Sequence, residues 1–522
     1  MSVFSSGWLL PIIYAGGFAL VLVQSRQQWR IARVVAGLGL VATLVVAAGA
    51  VAFSQVAPAA VDKLGLTAVL LVSLLGWVII NYSSRYMMGE PDQSRFARAM
   101  LFTLAGVSVL VLSHNLAVIV LAWSSTSIGL HFLLTHYRER KAAQIVAHKK
   151  FLVSRMAEVC LVVALILIYQ EAGTLTLDDL HAHITGAIID SALVLPLSLH
   201  WAAVLFALAA ILKSAQLPLH GWLIQVMEAP TPVSALLHAG VVNMGGFVLI
   251  RLSELLSLAP AAQTLLVFVG SLTAVLAGLV MMTRISIKVR LAWSTCAQMG
   301  FMLMEIGLGL YELALLHLVA HSLYKAHAFL SAGETVRAAR YSDFFIDYGS
   351  PRPFIEYLGA FVLSGLLVAG SAALWQALLP TLNVPPIALV IVALGLAPLF
   401  WLEQGFKPEL VLRSGALALG ITQLYLLWHV LFSGLAPAPS DVPTVLAGWV
   451  LLSFLALYGT QVWLRCYPSG HFARALYPWA YCGFYLDESF TRLTFKLWPV
   501  RLSSVQAQTL VNRNSADKEK IL

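Results

Sequence analysis

The sequence predicts an all-α polytopic membrane protein with roughly 14–15 transmembrane helices, one of them broken around Lys213 and Pro218. Of the 522 residues, 60% are hydrophobic and 11% are charged, whereas a soluble domain carries roughly 25% charged residues. Apolar stretches of about 20 residues, the length that crosses a bilayer, recur along the whole chain. Basic residues are concentrated in alternate connections between these stretches, which is the pattern of a multi-pass protein.

The apolar stretches give the predicted spans in order. They lie near residues 7–24, 34–56, 64–82, 97–113, 115–136, 151–170, 197–217, 232–252, 261–283, 291–310, 312–334, 354–378, 385–402, 411–434 and 443–464. No basic cluster precedes the first span, so we expect a retained helix rather than a cleaved signal peptide. Residues 1–465 are therefore expected to form the transmembrane domain, and residues 466–522 a cytoplasmic amphipathic segment and a disordered tail.

The distribution of positive charge predicts the orientation. Lys63 and Arg251 lie in the even-numbered connections, and Arg155, Lys213 and Lys325 lie within spans. Every other member of the 32 Lys and Arg residues lies in the odd connections, at a span end that borders one of them, or after the last span. Lys149 and Lys150 lie between the fifth and sixth spans. By the positive-inside rule, the N-terminus is outside and the C-terminus is cytoplasmic.

Composition also excludes several classes of function. The net charge of +8 follows from the topology and does not indicate nucleic-acid binding. The cysteines Cys160, Cys296, Cys466 and Cys482 are scattered, which favours neither a zinc site nor a disulfide framework. The sequence has no phosphate-binding glycine loop and no H-E-x-x-H motif, so neither a nucleotide-driven pump nor a metalloenzyme is indicated. We expect no cofactor, no metal and no catalytic residue in this chain.

Ionisable groups inside the spans point to the function. His317, His321 and Lys325 follow one another at i, i+4 and i+8, which places them on one helical face. A charge at the centre of a membrane helix costs about 2.5 kcal/mol or more, so such groups face a wet or protein-lined interior. Lys213 precedes Pro218, which cannot donate to the carbonyl of its helical partner and so opens the backbone beside a buried amine. This arrangement predicts that ionisable side chains within the spans bind protons inside the membrane.

Three segments carry a resemblance to a known family. They run from Tyr82 to Phe96 (YSSRYMMGEPDQSRF), from Lys213 to Leu252 and from Arg284 to Gly333. They resemble the proton-translocating subunits shared by respiratory complex I and Mrp-type antiporters, with subunit L of NADH-quinone oxidoreductase as the nearest type. The resemblance covers roughly residues 80–335. It implies a chain of buried protonatable groups through which charge shifts drive proton movement, and it matches that chain at Lys213, Pro218, His238, His317, His321 and Lys325.

Two departures from the family pattern are informative. Ser124 stands where the family has a glutamate on the fifth span. Glu158 on the sixth span matches another acidic family position and is the expected partner of Lys213, although Arg155 three residues earlier offers a local ion pair instead. Glu305 is a further intramembrane acid whose role stays open between function and structure.

The second departure concerns the last third of the chain. The family has a late lysine in another broken helix, but the span 354–378 has none, and Trp375 and Gln376 lie near that position. Lys407 is expected to be a topology charge. The long amphipathic C-terminal arm of complex I also has no counterpart. These differences favour a subunit that works with another membrane-associated protein.

The branch that combines these features is the DabB type of inorganic carbon accumulation subunit. The resemblance implies a zinc-containing DabA-type partner on the cytoplasmic face of the bacterial inner membrane, where proton flow (or Na⁺ flow) would make CO2 hydration effectively one-way. The alternatives are an antiporter or NADH-quinone oxidoreductase subunit, and a non-conducting anchor for the partner enzyme.

Two polar segments have predicted surface roles. The aromatic and basic segment from Cys466 to Pro499, in particular Tyr477 to Asp487, is expected to contact the partner; the alternative is a helix lying in the lipid headgroups. The connection from Glu171 to Pro196 is expected to be a solvated external loop.

Overall fold

The structure is a computed structural model that describes residues 8–52, 62–137, 139–190, 195–334, 353–380, 382, 384–401, 408–437 and 442–497. Within these ranges the chain is all-α and forms no strand, which confirms the predicted fold class. Ten helices of the described part are long and apolar enough to cross a membrane, and three shorter apolar helices accompany them. Each predicted span contains a helix or a pair of short helices.

The helices are joined mostly by short connections. The first half of the chain forms α1 (Leu9–Val23), α2 (Gln28–Ala52), α3 (Lys63–Tyr86), α4 (Gln93–Leu112), α5 (Leu116–Leu134), α6 (Lys141–Ala172), α7 (Leu177–Asp190), α8 (Leu197–Lys213), α9 (Gly221–Ile224), α10 (Thr231–Ala239) and α11 (Met244–Arg251). The second half forms α12 (Ser253–Ser257), α13 (Pro260–Met282), α14 (Ile287–Gly307), α15 (Tyr311–Leu330), α16 (Phe354–Leu378), α17 (Pro386–Leu396), α18 (Pro408–Phe432), α19 (Thr444–Cys466), α20 (His471–Tyr481) and α21 (Leu486–Leu497).

The central helices are shielded from lipid, whereas the later ones face it. In the most apolar stretch of the span formed by α10 and α11, 94% of the residues are buried, against 11% in the corresponding stretch of α19. Glycines allow close packing around this centre, since a Cβ atom added to Gly270 would lie 2.5 Å from the carbonyl oxygen of Gly300. Helices α13 and α14 therefore meet backbone to backbone, as small residues permit in membranes. Polar side chains on the central helices consequently face protein.

The N-terminal part of α6 contains two residues that the sequence analysis assigned to a connection. The helix begins at Lys141, about ten residues before the predicted span, and its first turns bury Val146 and Ala147. Lys149 and Lys150 therefore lie inside the helix and are buried. Their assignment to a cytoplasmic connection was wrong, because an apolar face continues past the polar residues that marked the expected boundary.

Two further elements differ from the predictions. The connection from Glu171 to Pro196 contains the helix α7 instead of a solvated loop, and this helix buries Leu177, Leu180 and Ile184 at helical spacing. The predicted span 232–252 is interrupted by a 3₁₀ turn after Gly240, between α10 and α11. A second helix break therefore follows closely after the predicted one.

Asp62 fastens the start of α3 to the end of α11. Its carboxylate accepts hydrogen bonds from the backbone N–H of Gly65 (3.0 Å) and from Arg251 Nη2 (3.1 Å), and it lies 3.3 Å from His114 Nε2. Burial raises the pKa of Asp62, but the hydrogen bond with His114 and the positive charge of Arg251 outweigh it and hold the pKa well below its usual range. Arg251, which the sequence marks as a loop residue, thus has a structural partner.

Some predictions fall on residues outside those that the structure describes. These are the topology charges Arg138, Arg337, Arg340, Arg352 and Lys407 and the tail after residue 497.

Candidate proton pathway

The helix that carries Lys213 is broken where the sequence predicts. Helix α8 ends at Lys213, and α9 begins at Gly221. The carbonyl of Ser214, which Pro218 cannot reach with a hydrogen bond, accepts one from Gln216 Nε2 at 2.9 Å. Irregular backbone at membrane depth requires such internal partners. The break places the Lys213 ammonium group at the end of a helix, inside the bundle.

Lys213 lies against α5 and α6. Its Nζ atom is 3.4 Å from the Trp123 carbonyl oxygen, 3.5 Å from Ser127 Oγ and 4.7 Å from the centroid of the Trp123 ring. The carboxylate atom Glu158 Oε1 lies 3.8 Å away and also accepts a 2.6 Å hydrogen bond from Arg155 Nη2. Both pairings that the sequence left open are therefore present, and one carboxylate faces two cations.

The first prediction concerns this carboxylate. We expect Glu158→Gln to lower the rate of proton uptake by about tenfold or more, because the amide removes a negative charge whose interaction with Lys213 is about 4 kcal/mol at an effective dielectric constant of 20. Ser124→Ala, at the position of the absent family glutamate, should stay within about twofold of wild type, since a serine carries no charge to lose. Uptake is measured on the purified protein in liposomes. A harmless Glu158→Gln would reduce the residue to a structural partner of Arg155.

Sequence reasoning missed one neighbour of Lys213. Lys150 Nζ donates a hydrogen bond of 3.0 Å to the carbonyl oxygen of Ser127, and Lys150 and Lys213 line the same cavity of about 20 Å³. The signal was available, because Lys150, Ser154 and Glu158 recur at i, i+4 and i+8 on α6. The boundary drawn at residue 151 separated Lys150 from the other two.

His238, on α10 just before the second helix break, continues the row of polar groups. Its ring is fully buried and stacks on Phe329, with 4.4 Å between the ring centroids. Neither ring nitrogen of His238 has a hydrogen-bond partner among the described residues. Nearby, Asn243 Nδ2 donates to Ser322 Oγ at 2.7 Å. Phe329 lies one turn after Lys325 on α15, so His238 faces the same side of that helix as the lysine.

The three groups predicted on one face of α15 share one cavity. His317, His321 and Lys325 line a space of about 410 Å³ together with Glu305 and Tyr425, which is large enough for several water molecules. His317 Nδ1 lies 2.9 Å from Glu305 Oε2, so the acid whose role the sequence left open is paired with a histidine of the row.

Lys325 itself is held by uncharged groups of α14. Its Nζ atom donates to Ser294 Oγ at 2.7 Å and to the carbonyl oxygen of Leu291 at 3.1 Å. Within the described part of the chain, no carboxylate lies within ion-pair distance of this amine. Lys213 is therefore balanced by an acid, whereas Lys325 is balanced by dipoles.

The region where the family has a late lysine is neutral here. Trp375 Nε1 donates to Gln423 Oε1, and Gln423 Nε2 donates to Ser371 Oγ at 3.1 Å. These groups link α16 to α18 through hydrogen bonds that can orient dipoles but carry no titratable charge. Trp375, Gln423 and Ser371 therefore add no proton-exchanging side chain to the polar row.

The segment after α19 binds to the bundle next to the broken helix. Asp487 Oδ2 accepts hydrogen bonds from Lys149 Nζ (2.8 Å) and Gln225 Nε2 (3.1 Å). Gly221 makes room for this contact, because any Cβ atom there would collide with the Asp487 carboxylate. Lys149 is thus an anchor for the C-terminal segment, and Asp487 cannot be part of a free docking surface.

Three aromatic side chains before Asp487 are exposed. Tyr477, Trp479 and Tyr485 each expose about half of their surface, at 58%, 56% and 48%. Arg284 lies over the Tyr481 ring, 5.4 Å from its centroid, and so connects this segment to the end of α13. We define Tyr477, Trp479 and Tyr485 as the aromatic surface.

No group of three or more His, Cys, Asp or Glu residues in the described ranges could hold a metal ion.

Comparisons with known proteins agree with this arrangement. Two family models match the sequence: "NADH:quinone oxidoreductase/Mrp antiporter, TM" over residues 113–366, and "NADH-Ubiquinone oxidoreductase (complex I), chain 5 N-terminus" over residues 53–97. The first contains the whole polar row from Ser127 to Lys325.

Similar proteins extend the match to the full length. The "Probable inorganic carbon transporter subunit DabB" of Hydrogenovibrio crunogenus is 38% identical, over 95% of this chain and 94% of its own. The subunit DabB2 of Halothiobacillus neapolitanus is 41% identical over 84% of this chain and 80% of its own. The fold resembles a chain of the Mrp complex from Dietzia, with a TM-score of 0.59 and 22% identity over 98% of this chain and 63% of that one.

Proposed function

The chain belongs to the membrane-subunit family of NADH:quinone oxidoreductases and Mrp antiporters, in the branch of the DabB inorganic carbon transporter subunits, and from this we propose that it conducts protons for inorganic carbon accumulation. In this proposal it is the membrane subunit of a two-component complex. Proton flow through it drives a zinc-containing, carbonic-anhydrase-like partner of the DabA type on the cytoplasmic face, which converts CO2 into bicarbonate. The chemistry takes place on the partner.

One observation carries the conducting role. Buried and half-buried ionisable side chains follow one another along the central helices, and each is costly to place in a membrane. The row consists of Glu158, Lys213, His238, Lys325, His321, His317 and Glu305. A protein that merely anchored an enzyme would need none of these groups, so the row favours conduction over the anchor alternative.

The geometry supports a stepwise transfer. Two unit charges 4 Å apart interact by about 4 kcal/mol at an effective dielectric constant of 20. The 3.8 Å contact between Lys213 and Glu158 is therefore strong enough that opening or closing it changes how readily the next group holds a proton. Lys325, which lacks such a carboxylate, can respond to the charge of its histidine neighbours. Protons enter through the wide cavity that His317 and Glu305 line.

The full-length similarity to DabB subunits supports the carbon-accumulating role. Those relatives are named as inorganic carbon transporter subunits, and they match this chain over nearly all or most of its length. The neutral Trp375–Gln423 pair where the family has a late lysine fits a subunit that differs from an oxidoreductase member. We therefore favour carbon accumulation over a role as an oxidoreductase or antiporter subunit.

The aromatic surface is the proposed docking site of the partner. Tyrosine and tryptophan are common anchors at protein interfaces, and this surface lies on the predicted cytoplasmic side. It is continuous with α21, whose Asp487 binds Lys149 on α6 and Gln225 next to the broken helix. Partner binding therefore has a short physical route to the Lys213 site.

The second prediction tests this surface. A photoreactive residue at position 477, 479 or 485 should capture a soluble protein that copurifies with this chain and contains zinc. The matched control carries the same residue at position 178 on α7, at the predicted external side, and should capture none. Crosslinks to lipid alone at the first three positions, with the partner captured from position 178, would overturn both the docking site and the predicted topology.

A further inference from the structure

Helices α5 and α6 carry polar side chains between Lys213 and the side of the bundle where α5 ends and α6 begins. Along α6, Lys150, Ser154 and Glu158 recur every four residues, and along α5, Ser127 is followed one turn later by His131. His131 lies three residues before the end of α5, at the side where α6 begins. The two rows run from that helix end into the bundle, which makes them distinct from the row that leads from Lys213 to α15.

Lys150 is the centre of this second row. Its side chain is 4% exposed, and its Nζ atom donates to the carbonyl oxygen of Ser127 at 3.0 Å. Lys213 Nζ lies 3.5 Å from the hydroxyl of the same serine. Both amines line a cavity of about 20 Å³, and a space of this size holds one water molecule. A hydroxyl and a single water therefore suffice to connect the two amines.

The charges around Lys150 do not balance when every group is ionised. Lys213, Glu158 and Arg155 all act electrostatically on Lys150, and His131 interacts with it from α5. Two ammonium groups and a guanidinium then share one carboxylate in a buried site. Because like charges repel strongly where water is scarce, a proton that arrives at Lys213 favours release of the proton on Lys150.

We propose that Lys150 is a second proton-binding residue, which receives protons from Lys213 and passes them on by way of His131. The inference rests on the proposed proton conduction and adds the residues through which protons leave Lys213 toward the predicted cytoplasmic side. Lys150 is thus a proton carrier and not a fixed charge that merely tunes its neighbour.

Three substitutions at one position separate these roles. Lys150→Gln removes the proton site, Lys150→Arg keeps the positive charge but cannot release its proton, and Lys150→His restores a group that exchanges protons. We expect the first two to lower the rate of proton uptake by about 100-fold or more, as is typical of removing a proton-transfer group. Lys150→His should conduct faster than either, with a pH optimum below that of wild type, because free histidine titrates about four pH units below free lysine.

The assay uses the purified full-length protein, with any partner that copurifies, in liposomes that contain a pH-sensitive dye and carry an imposed potassium diffusion potential. The matched control is Lys63→Gln, which alters an exposed lysine at the start of α3. Elution volume and melting temperature establish that each variant is folded. If Lys150→Gln fails to fold, the comparison of Lys150→Arg with Lys150→His still decides the question.

The outcomes distinguish this inference from the proposed function. Wild-type rates in Lys150→Arg would overturn the carrier role and leave a fixed charge. Wild-type rates in all Lys150 variants, together with a Lys213→Ala variant that does not conduct protons, would overturn the inference alone. Normal conduction by Lys213→Ala would overturn the proposed function itself.

Discussion

Alanine in place of Lys213 or Lys325 should abolish proton-driven carbon accumulation, while each variant still inserts into the membrane. Both amines lie at the centre of the polar row, and a group that takes up and releases protons typically contributes about 100-fold or more to a rate. Their loss should not unfold the protein. Glu158 keeps Arg155 as a partner when Lys213 is removed, and Lys325 leaves behind uncharged groups, Ser294 and the Leu291 carbonyl.

Growth and flux measure this effect independently. The variants are produced with the partner in a host without carbonic anhydrase, which grows in air only when bicarbonate is accumulated. Proton uptake is measured in liposomes, and the amount of protein in the membrane is quantified by immunoblot. Lys63→Ala serves as the control. Normal growth in air by both variants, at normal abundance, would contradict the proton pathway.

Periodicity was enough to predict the core of this pathway. His317, His321 and Lys325 were predicted on one helical face because their spacing is four residues, and the structure places them in one cavity. The break after Lys213 was predictable because Pro218 cannot continue a helix. Both signals are local in the sequence, so they can be recognised without knowledge of the tertiary fold. The role of these groups in proton movement remains a proposal.

Long-range contacts could not be predicted in the same way. Lys149 looks like a topology charge because its acceptor, Asp487, lies 338 residues later in the chain. Lys150 was missed for a related reason, since a run of polar residues at the start of α6 resembles a loop until the neighbouring helix is seen to cover it. Composition cannot distinguish a basic residue in solvent from one that a distant segment buries.

Glu158 illustrates the limit of local reasoning more sharply. Three-residue spacing predicts a pair with Arg155, whereas the family pattern predicts a pair with Lys213. The structure shows both contacts on the same oxygen atom, at 2.6 and 3.8 Å. A carboxylate can satisfy a neighbour on its own helix and a cation on another, so the two predictions were compatible.

The position of Asp487 connects the two halves of the proposed function. Its carboxylate binds Lys149, the residue directly before Lys150, and Gln225, which follows the short helix α9. Movement of α21 when a partner binds the aromatic surface would therefore act directly on Lys149 and Gln225, which adjoin Lys150 and α9. Coupling in this form needs no change in the membrane helices farther from the break.

The energy source gives the final prediction. Bicarbonate accumulation should collapse when an uncoupler is added to cells that contain ample ATP, and it should persist when ATP is depleted while the proton gradient is kept. The sequence has no nucleotide-binding loop, and the ionisable groups of its polar row can all exchange protons. One charge that moves through 100 mV releases about 2.3 kcal/mol. At about 1.4 kcal/mol per tenfold change, one proton then supports roughly 50-fold accumulation.

The measurement uses cells that take up labelled inorganic carbon. In one set an ATP synthase inhibitor is combined with active respiration, so that ATP falls while the gradient remains. In the other set an uncoupler is combined with fermentable substrate, so that the gradient falls while ATP remains. Cells that carry Lys213→Ala give the background for both. A sodium ionophore is tested in parallel, because Na⁺ coupling would make uptake sensitive to it at constant proton gradient. Uptake that follows the ATP level in both sets would exclude ion-gradient coupling through Lys213 and Lys325.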